Sequence, residues 1–336
     1  MGKVTLSRIA DETNVSVSTV SRVLKGDSRI SERTKYRVLM MAKRLGYLNS
    51  EVPSNGKVIL FLVVTSHNSV EADEFFLKVQ KGILSGASNN SAHCLVRSIS
   101  PGERLERSSL PLDLINGVIV GGIPLSDEIQ NLILKLKEPV VRIGWYKKLS
   151  MLPSVNNDNV RGGYIAAKEL HRLGYDRIMI LTGNLKVATF RDRVDGFYKA
   201  LREEDFDESN VELIKCDSFE EDEGYKKIKT DFVPKKDANS AIFCTTDWLA
   251  KGAMEAIKDL GLDIPNDVGI MGFSGLSFTE QLRPSLSTIA LNPYLLGRTA
   301  YMLLQDIMEG IQEARGSIFV EPTFLKRDSL KRRKQK

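Results

Sequence analysis

Residues 16–25 read SVSTVSRVLK, a stretch in which the hydroxyls of Ser16, Ser18, Thr19 and Ser21 and the cations of Arg22 and Lys25 surround Val20, Val23 and Leu24. Short hydroxyls donate and accept hydrogen bonds without steric bulk, and a guanidinium forks onto two acceptors at once. The chemistry on offer is non-covalent: bonds to phosphate oxygens, and a bidentate pair from Arg22 to the edge of a planar base. Such a set works only if one element shows it on one face.

Helical periodicity supplies that element. At 100° per residue Val20, Val23 and Leu24 turn one way while Ser18, Ser21, Arg22 and Lys25 turn the other. Val17 lies at the boundary, within reach of a thymine methyl. Ser16 is the expected cap of this helix and Gly26 its end. Upstream, Thr5 caps a short helix over residues 6–12, with Leu6, Ile9 and Ala10 inward, which stops near Asn14. Downstream, GDSRIS is a loop, Ser31 a third cap, and Val38, Met41, Ala42 and Leu45 the inner stripe of a third helix ended by Gly46. The first two helices, joined by the tight turn TNVS, make a helix-turn-helix, whose second helix enters the major groove of DNA. The candidate DNA contacts are Thr5, Ser16, Val17, Ser18, Thr19, Ser21, Arg22, Lys25, Ser31, Thr34 and Tyr47. Plainer roles compete: Ser16 as a cap only, Ser18 and Ser21 as surface residues, Arg22 and Lys25 as solvated charges.

Charge favours the first set of roles. Residues 1–57 hold 11 Lys and Arg against 5 Asp and Glu, a net +6, whereas the whole 336-residue chain is only +5, leaving −1 for the remainder. That remainder ends in the basic LKRDSLKRRKQK, so the middle of the chain is acidic. A small basic head on an acidic body is the footprint of a partner that is a polyanion. A hydrophobic fraction of 42% and a charged fraction of 27% are those of an ordinary globular chain, which excludes fibrous and disordered classes. The longest apolar run, VILFLVV, is far short of the roughly 20 residues that span a bilayer, and MGKVTLSRIA turns polar at once, so neither a membrane span nor a signal peptide is expected. Three widely spaced cysteines, Cys94, Cys216 and Cys244, suit a reducing, cytoplasmic setting.

The stretch VTLSRIADETNVSVSTVSRVLKGDSRISERTKYRVLMMAKRLGY resembles the head of the LacI/GalR family of bacterial transcriptional repressors, whose pattern is V-T-x-x-D-I-A-x-x-A-G-V-S-x-x-T-V-S-R-V-L-N. It departs at Arg8, where Asp is usual, at Asn14, where Gly is usual, and at Lys25, where Asn is usual. Asn enters left-handed turn geometry more readily than other non-glycine residues, so the turn at Asn14 is kept. Lys25 alters a base or phosphate contact, so the family's operator preference is not carried over. The family's P-N-x-x-A-R-x-L hinge helix, whose Leu wedges into the minor groove, has no counterpart in GYLNSEVPSNGKVILF, where Pro53, Asn55 and Gly56 read as a linker. Recognition is therefore expected to rest on the head and on the spacing of two heads in a dimer.

Beyond Lys57, eight β-rich runs (VILFLVV, HCLVRSI, NGVIVGG, PVVRIGW, RIMILTG, VELIKC, SAIFCTT, DVGIMGF) alternate with amphipathic stretches such as VRGGYIAAKELHRLG and DWLAKGAMEAIKDLG. Alternation of this kind means parallel sheets with right-handed crossovers. The resemblance implies two Rossmann-like lobes in a periplasmic-binding-protein arrangement. The expected fold class is thus α/β: an all-α helix-turn-helix head (1–48), a shortened linker (49–57), an effector-binding and dimerisation domain (58–330) and a basic tail (331–336). Lobe one is expected at about 58–159 and 292–318, lobe two at about 160–288 and 319–330. The chain would cross near Asn159, near Ser287 to Asn292 and near Phe319.

Ligands of such sheets lie outside the carboxyl ends of the strands. Asp158, Arg193, Asp247 and Ser274 fall there, and RVDGF around Arg193 matches the family's R-x-x-G-[FY]. Carboxylates and Arg span neighbouring sugar hydroxyls, and Phe75, Phe76, Trp145 and Trp248 can cover an apolar ring face. The alternatives are helix caps for Asp158 and Asp247, an ion pair for Arg193, and core packing for the aromatics. The family's Asn and Asp are replaced by Thr246 and by Ser274-Gly275, which removes a carboxylate. A sugar held in another way, a phosphorylated sugar or a different metabolite all stay open; DLINGVIVGG and SVNNDNVRGG look closest to repressors of galactoside-use operons.

An enzyme is the rival class. His67, His93 and His171 lack metal-ligand spacing, GFSGL fails G-x-S-x-G at Leu276, and no G-x-x-x-x-G-K-[ST] loop occurs. No catalytic residue, metal or cofactor is assigned. A receptor without DNA work is the third class, disfavoured by the +6 head. The tail has no leucine heptads for a tetramerising coil, so the expected partners are a double-stranded DNA operator, a small-molecule effector and a second copy of the chain.

Overall fold

The computed structural model describes residues 5–25, 27, 29–45, 47, 57–64, 74–100, 103–122, 125–233, 239–311 and 316–332. The linker expected at 49–57 lies outside them except for Lys57, as do Gly26, Gly46, His67 and the last four residues of the tail. The chain divides into two units, Met1–Gly56 and Lys57–Lys336.

The first unit holds α1 (Leu6–Thr13), α2 (Val17–Leu24) and α3 (Glu32–Arg44). Ile9, Ala10, Val20, Val23, Val38 and Ala42 are buried in one cluster, with Leu6, Leu24, Met41 and Leu45 packed against it. The stripe spacing of 3 and 4 residues turns these side chains to a shared centre. Asn14 closes α1 at φ 50° and ψ 48°, its amide donating to the carbonyls of Ala10 and Asp11. Its left-handed conformation lets α2 start within three residues.

In the second unit β1 (Val58–Val64) pairs in parallel with β2 (His93–Ile99) and β3 (Gly117–Gly122), and β4 (Val140–Ile143) and β5 (Ser154–Asn157) continue the sheet. The second sheet is built on β6 (Arg177–Thr182), β7 (Val211–Lys215), β8 (Ser240–Cys244), β9 (Val268–Ser274) and β10 (Ser287–Ala290). β11 (Ser317–Val320) returns to the first sheet, and β12 (Thr323–Leu325) ends the second as its antiparallel edge. The orders are β11-β5-β4-β3-β1-β2 and β12-β10-β9-β8-β6-β7. Central strands such as β3 are buried along their whole length, as sheets covered by helices on both faces require.

The sheets hold β5, β10, β11 and β12 in addition to the eight apolar runs. These are strands of three or four residues, too short to show alternation. Phe319 and Val320 pair with Asn156 and Asn157 in the first sheet, so the third crossing falls just after Val320. Ser317, Ile318 and Phe319 are all exposed, so this edge strand carries no burial pattern to place it.

The helices of each lobe are α4 (Glu74–Asn89), α5 (Asp127–Ile133) and α10 (Pro293–Met308) in the first, and α6 (Asn159–Arg172), α7 (Ala188–Glu203), α8 (Glu221–Asp231) and α9 (Asp247–Asp259) in the second. All but α5 pack as pairs through reciprocal glycines. A Cβ at Gly163 of α6 would lie 1.9 Å from the Arg193 carbonyl oxygen, and one at Gly196 of α7 1.9 Å from that of Val160. Gly82 of α4 faces the Tyr294 carbonyl and Gly297 of α10 that of Val79, each at 2.0 Å. Gly224 of α8 and Gly252 of α9 repeat the device. Glycine costs a helix about 1 kcal/mol in propensity, a loss offset by contact between whole backbones. The pair α6 and α7 carries Asn159 and Arg193, so this close approach sets the geometry of the second lobe's polar centre.

Candidate DNA-reading head and effector cleft

In the head, Thr5, Ser16 and Ser31 all use their hydroxyls at helix starts, accepting from the amides of Arg8 (3.4 Å), Thr19 (3.1 Å) and Thr34 (3.2 Å). Ser16 Oγ also lies 2.8 Å from both Ser18 Oγ and Thr19 Oγ1, and Ser31 Oγ 2.9 Å from Thr34 Oγ1. The hydroxyls thus gather at the amino ends of α2 and α3, where backbone N–H groups and the helix dipole favour a phosphate. Val17, Ser18, Arg22, Lys25 and Tyr47 are exposed, Thr19, Ser21 and Thr34 half-buried, and Val20 and Val23 buried. Arg22 and Lys25 make no ion pair among the described residues. Arg29, by contrast, forks onto Asp27, with Nε to Oδ1 at 3.0 Å and Nη2 to Oδ2 at 2.7 Å. These bonds from Arg29 hold the Asp27 carboxyl well below the usual range.

In the second lobe Arg193 is only 5% exposed. Its Nε donates to Asn159 Oδ1 at 2.9 Å and its Nη1 to the Thr245 carbonyl at 2.5 Å, with the guanidinium carbon 3.8 Å from the centre of the Phe273 ring. It forms no ion pair among the described residues, which corrects that alternative for Arg193. Burial pushes the guanidinium down to about 9, with Asp247 and Asp192 pulling it back. Nη2 makes no hydrogen bond among the described residues.

Asp247 is wholly buried. Its Oδ1 accepts from Thr288 Oγ1 at 2.7 Å and its Oδ2 from the Leu276 amide at 2.8 Å. Burial raises its pKa, and the bonds from Thr288, Leu276 and Gly275 together with Arg193 oppose the rise. The cap of α9 is Thr246, whose Oγ1 accepts from the Leu249 amide at 3.1 Å, so the helix-cap alternative for Asp247 is corrected too. Asp247 pins the turn after β9 from behind, fully buried and with each carboxylate oxygen already accepting a hydrogen bond. Ser274 sits on that turn at φ 133° and Gly275 at φ 74°, a left-handed pair that aims the following amides back at Asp247. Asp158 caps α6, accepting from the Arg161 amide at 2.8 Å.

The aromatic candidates separate. Phe76 is buried in the first lobe's core, edge-on to half-buried Phe75 at 5.3 Å, which removes it from the ring-covering set. Trp145 follows β4 and is 51% exposed. Trp248, on the first turn of α9, packs on Phe278 at 4.5 Å. Glu74 reaches from α4 to the other lobe: its carboxylate accepts from the Ser277 amide at 3.1 and 3.2 Å and from Ser277 Oγ at 2.8 Å. Glu74 follows β1 and Ser277 follows β9, so this contact brings the carboxyl ends of the two sheets face to face across an interlobe cleft.

Residues 5–50 match the family described as bacterial regulatory proteins, lacI family, and residues 167–330 a periplasmic binding protein-like domain. The ribose operon repressor of Haemophilus influenzae is 28% identical over 335 residues, covering 97% of this chain and 98% of its own length. The chain belongs to the lacI family of bacterial regulatory proteins. As a lacI-family protein it is a DNA-binding transcriptional regulator, with an α-helical reader and a two-sheet effector domain. The lac repressor dimer bound to operator and the anti-inducer ONPF shares the fold at TM-score 0.67 and 21% identity, over 98% of this chain and 99% of that one. A lacI-family regulator from Enterococcus faecium with bound ribose does so at TM-score 0.67 and 22% identity, over 82% of this chain and all of that one.

Four residues of this lacI-family cleft escaped sequence reasoning: Asn159, Thr288, Glu74 and Ser277. Asn159 stands one place after Asp158 in NNDN and holds Arg193; the run of amides was the signal. Glu74 and Ser277 are 203 positions apart, and nothing local marks either.

Proposed function

We propose that this regulator represses a carbohydrate-use operon, binding a near-palindromic operator as a homodimer and releasing it, or seizing it, when a small-molecule effector enters the interlobe cleft. The exposed hydroxyl-and-cation face of α2 is the observation that carries the reading. It supports insertion of α2 into the major groove, Arg22 paired with a guanine edge, Lys25 and the hydroxyls at the amino ends of α2 and α3 on phosphates, and Val17 against a thymine methyl. Two heads on half-sites about one helical turn apart, or a multiple of it, mirror the two-fold axis of a dimer.

For the effector, the ribose named for one relative and held by one structural neighbour supports a sugar. The half-used guanidinium of Arg193 offers a donor pair to adjacent hydroxyls, and exposed Trp145 an apolar face. A coupling of about 1 to 3 kcal/mol between cleft and head changes operator affinity about 5 to 150-fold. Both partners imply the compartment that holds the DNA.

Fluorescence anisotropy of the full chain on DNA from upstream of its own gene, over a salt series, tests the reading. Salt-sensitive, sequence-selective binding that shifts with D-ribose or D-galactose is the expected result. Association with no fragment overturns the regulator; operator binding that no sugar in a metabolite panel changes overturns the sugar alone.

A further inference from the structure

The turn after β9 is fastened from two sides. Asp247 holds the Leu276 amide from within the second lobe, and Glu74 holds the next amide and the hydroxyl of Ser277 from the first lobe. Glu74 is itself steadied by Lys78 one helical turn on, at 2.5 Å. Ser274 at φ 133° and Gly275 at φ 74° give the turn its shape. A carboxylate that accepts both donors of one residue on a facing lobe resists separation of the two, because opening leaves three partners to be resolvated at once.

We propose that Glu74 and Ser277 form a clasp that sets the resting closure of the effector cleft, so that Glu74 is a positioning residue for the effector response. The inference rests on that cleft being the effector site, but the clasp itself needs no ligand to be measured. An effector that favours the closed lobes finds them already gathered, and loss of the clasp moves the resting population toward open and weakens binding.

Residue-resolved amide exchange on the full ligand-free chain tests it, comparing wild type with Glu74→Ala and Glu74→Gln. In Glu74→Ala the Ser277 amide should exchange about tenfold faster, as for loss of a hydrogen bond to a charged acceptor at a half-exposed site. The Leu276 amide, held by Asp247, should keep its wild-type rate. Glu74→Gln, which retains one acceptor oxygen, should fall between. An unchanged Ser277 rate in both variants overturns the clasp, as does equal acceleration of Ser277 and Leu276, which marks loss of the whole turn. Thermal shifts with D-ribose and D-galactose on the same proteins form a separate arm. If neither sugar shifts wild type, the choice of sugar fails while the exchange result stands; if one does, Glu74→Ala should bind it more weakly.

Discussion

Arg22 and Arg193 carry the same guanidinium in opposite circumstances. Arg22 stands exposed on a helix of eight residues with no ion pair among the described residues, while Arg193 is buried and already bound to Asn159, Thr245 and the face of Phe273. The head keeps Arg22, Lys25 and Ser18 exposed outside a small apolar centre, where they cost the fold little. The cleft spends most of its polar groups on its own architecture: Asp247 fastens a turn, Asp158 caps α6, and Glu74 joins two lobes. In the head, then, Arg22 and Lys25 stay at the surface without an ion pair among the described residues, whereas in the cleft the same residue types serve as braces.

Substitutions on each side of this contrast should behave differently, and the largest effect belongs to the braced side. Asp247→Ala leaves the hydroxyl of Thr288 and the amide of Leu276 without an acceptor in the interior, and it should lower the stability of the effector domain by about 3 kcal/mol, read as a lower urea midpoint. A midpoint unmoved from wild type would mean the turn does not depend on this carboxylate. Arg22→Ala should cost about 1 to 3 kcal/mol of discrimination between operator and unrelated DNA with no change in melting temperature, as measured by competition binding. Loss of fold in that variant would mean that Arg22 braces the head as Arg193 braces the second lobe. Arg193→Lys keeps the charge but not the fork, so an effector-induced thermal shift should shrink about tenfold in ligand affinity, in line with one lost charged hydrogen bond. Ser16→Ala removes the cap of α2 and should cost the head about 1 kcal/mol, visible as a lower helical melting midpoint. Ser18→Ala should be nearly silent in stability and act only on DNA affinity, which separates capping from contact within one hydroxyl group.

Much of the architecture was legible because burial and periodicity coincide. Val20, Val23, Val38 and Ala42 repeat at helical spacing and are buried together; VILFLVV is apolar throughout because β1 lies in a sheet covered on both faces. Asn14 was legible as a left-handed turn from its side chain alone. Other elements left little trace. The strand Ser317–Val320 shows three exposed residues in a row, and α10 begins at Pro293 after the Asn292 cap yet was not separated from its surroundings. The glycines of the paired helices read as weak points in isolated helices, and only the carbonyl facing each one explains it.

From residue order alone came the trihelical head, its inner stripe, its excess of positive charge and the alternation that makes the parallel sheets, all of which depend on neighbours within a turn or two of chain. Only tertiary structure decided that Asp247 is an anchor, that Arg193 leans on Asn159 and Phe273, and that Glu74 meets Ser277. A buried polar side chain is defined by what encloses it, and those enclosing atoms arrive from strands and helices far away in the chain.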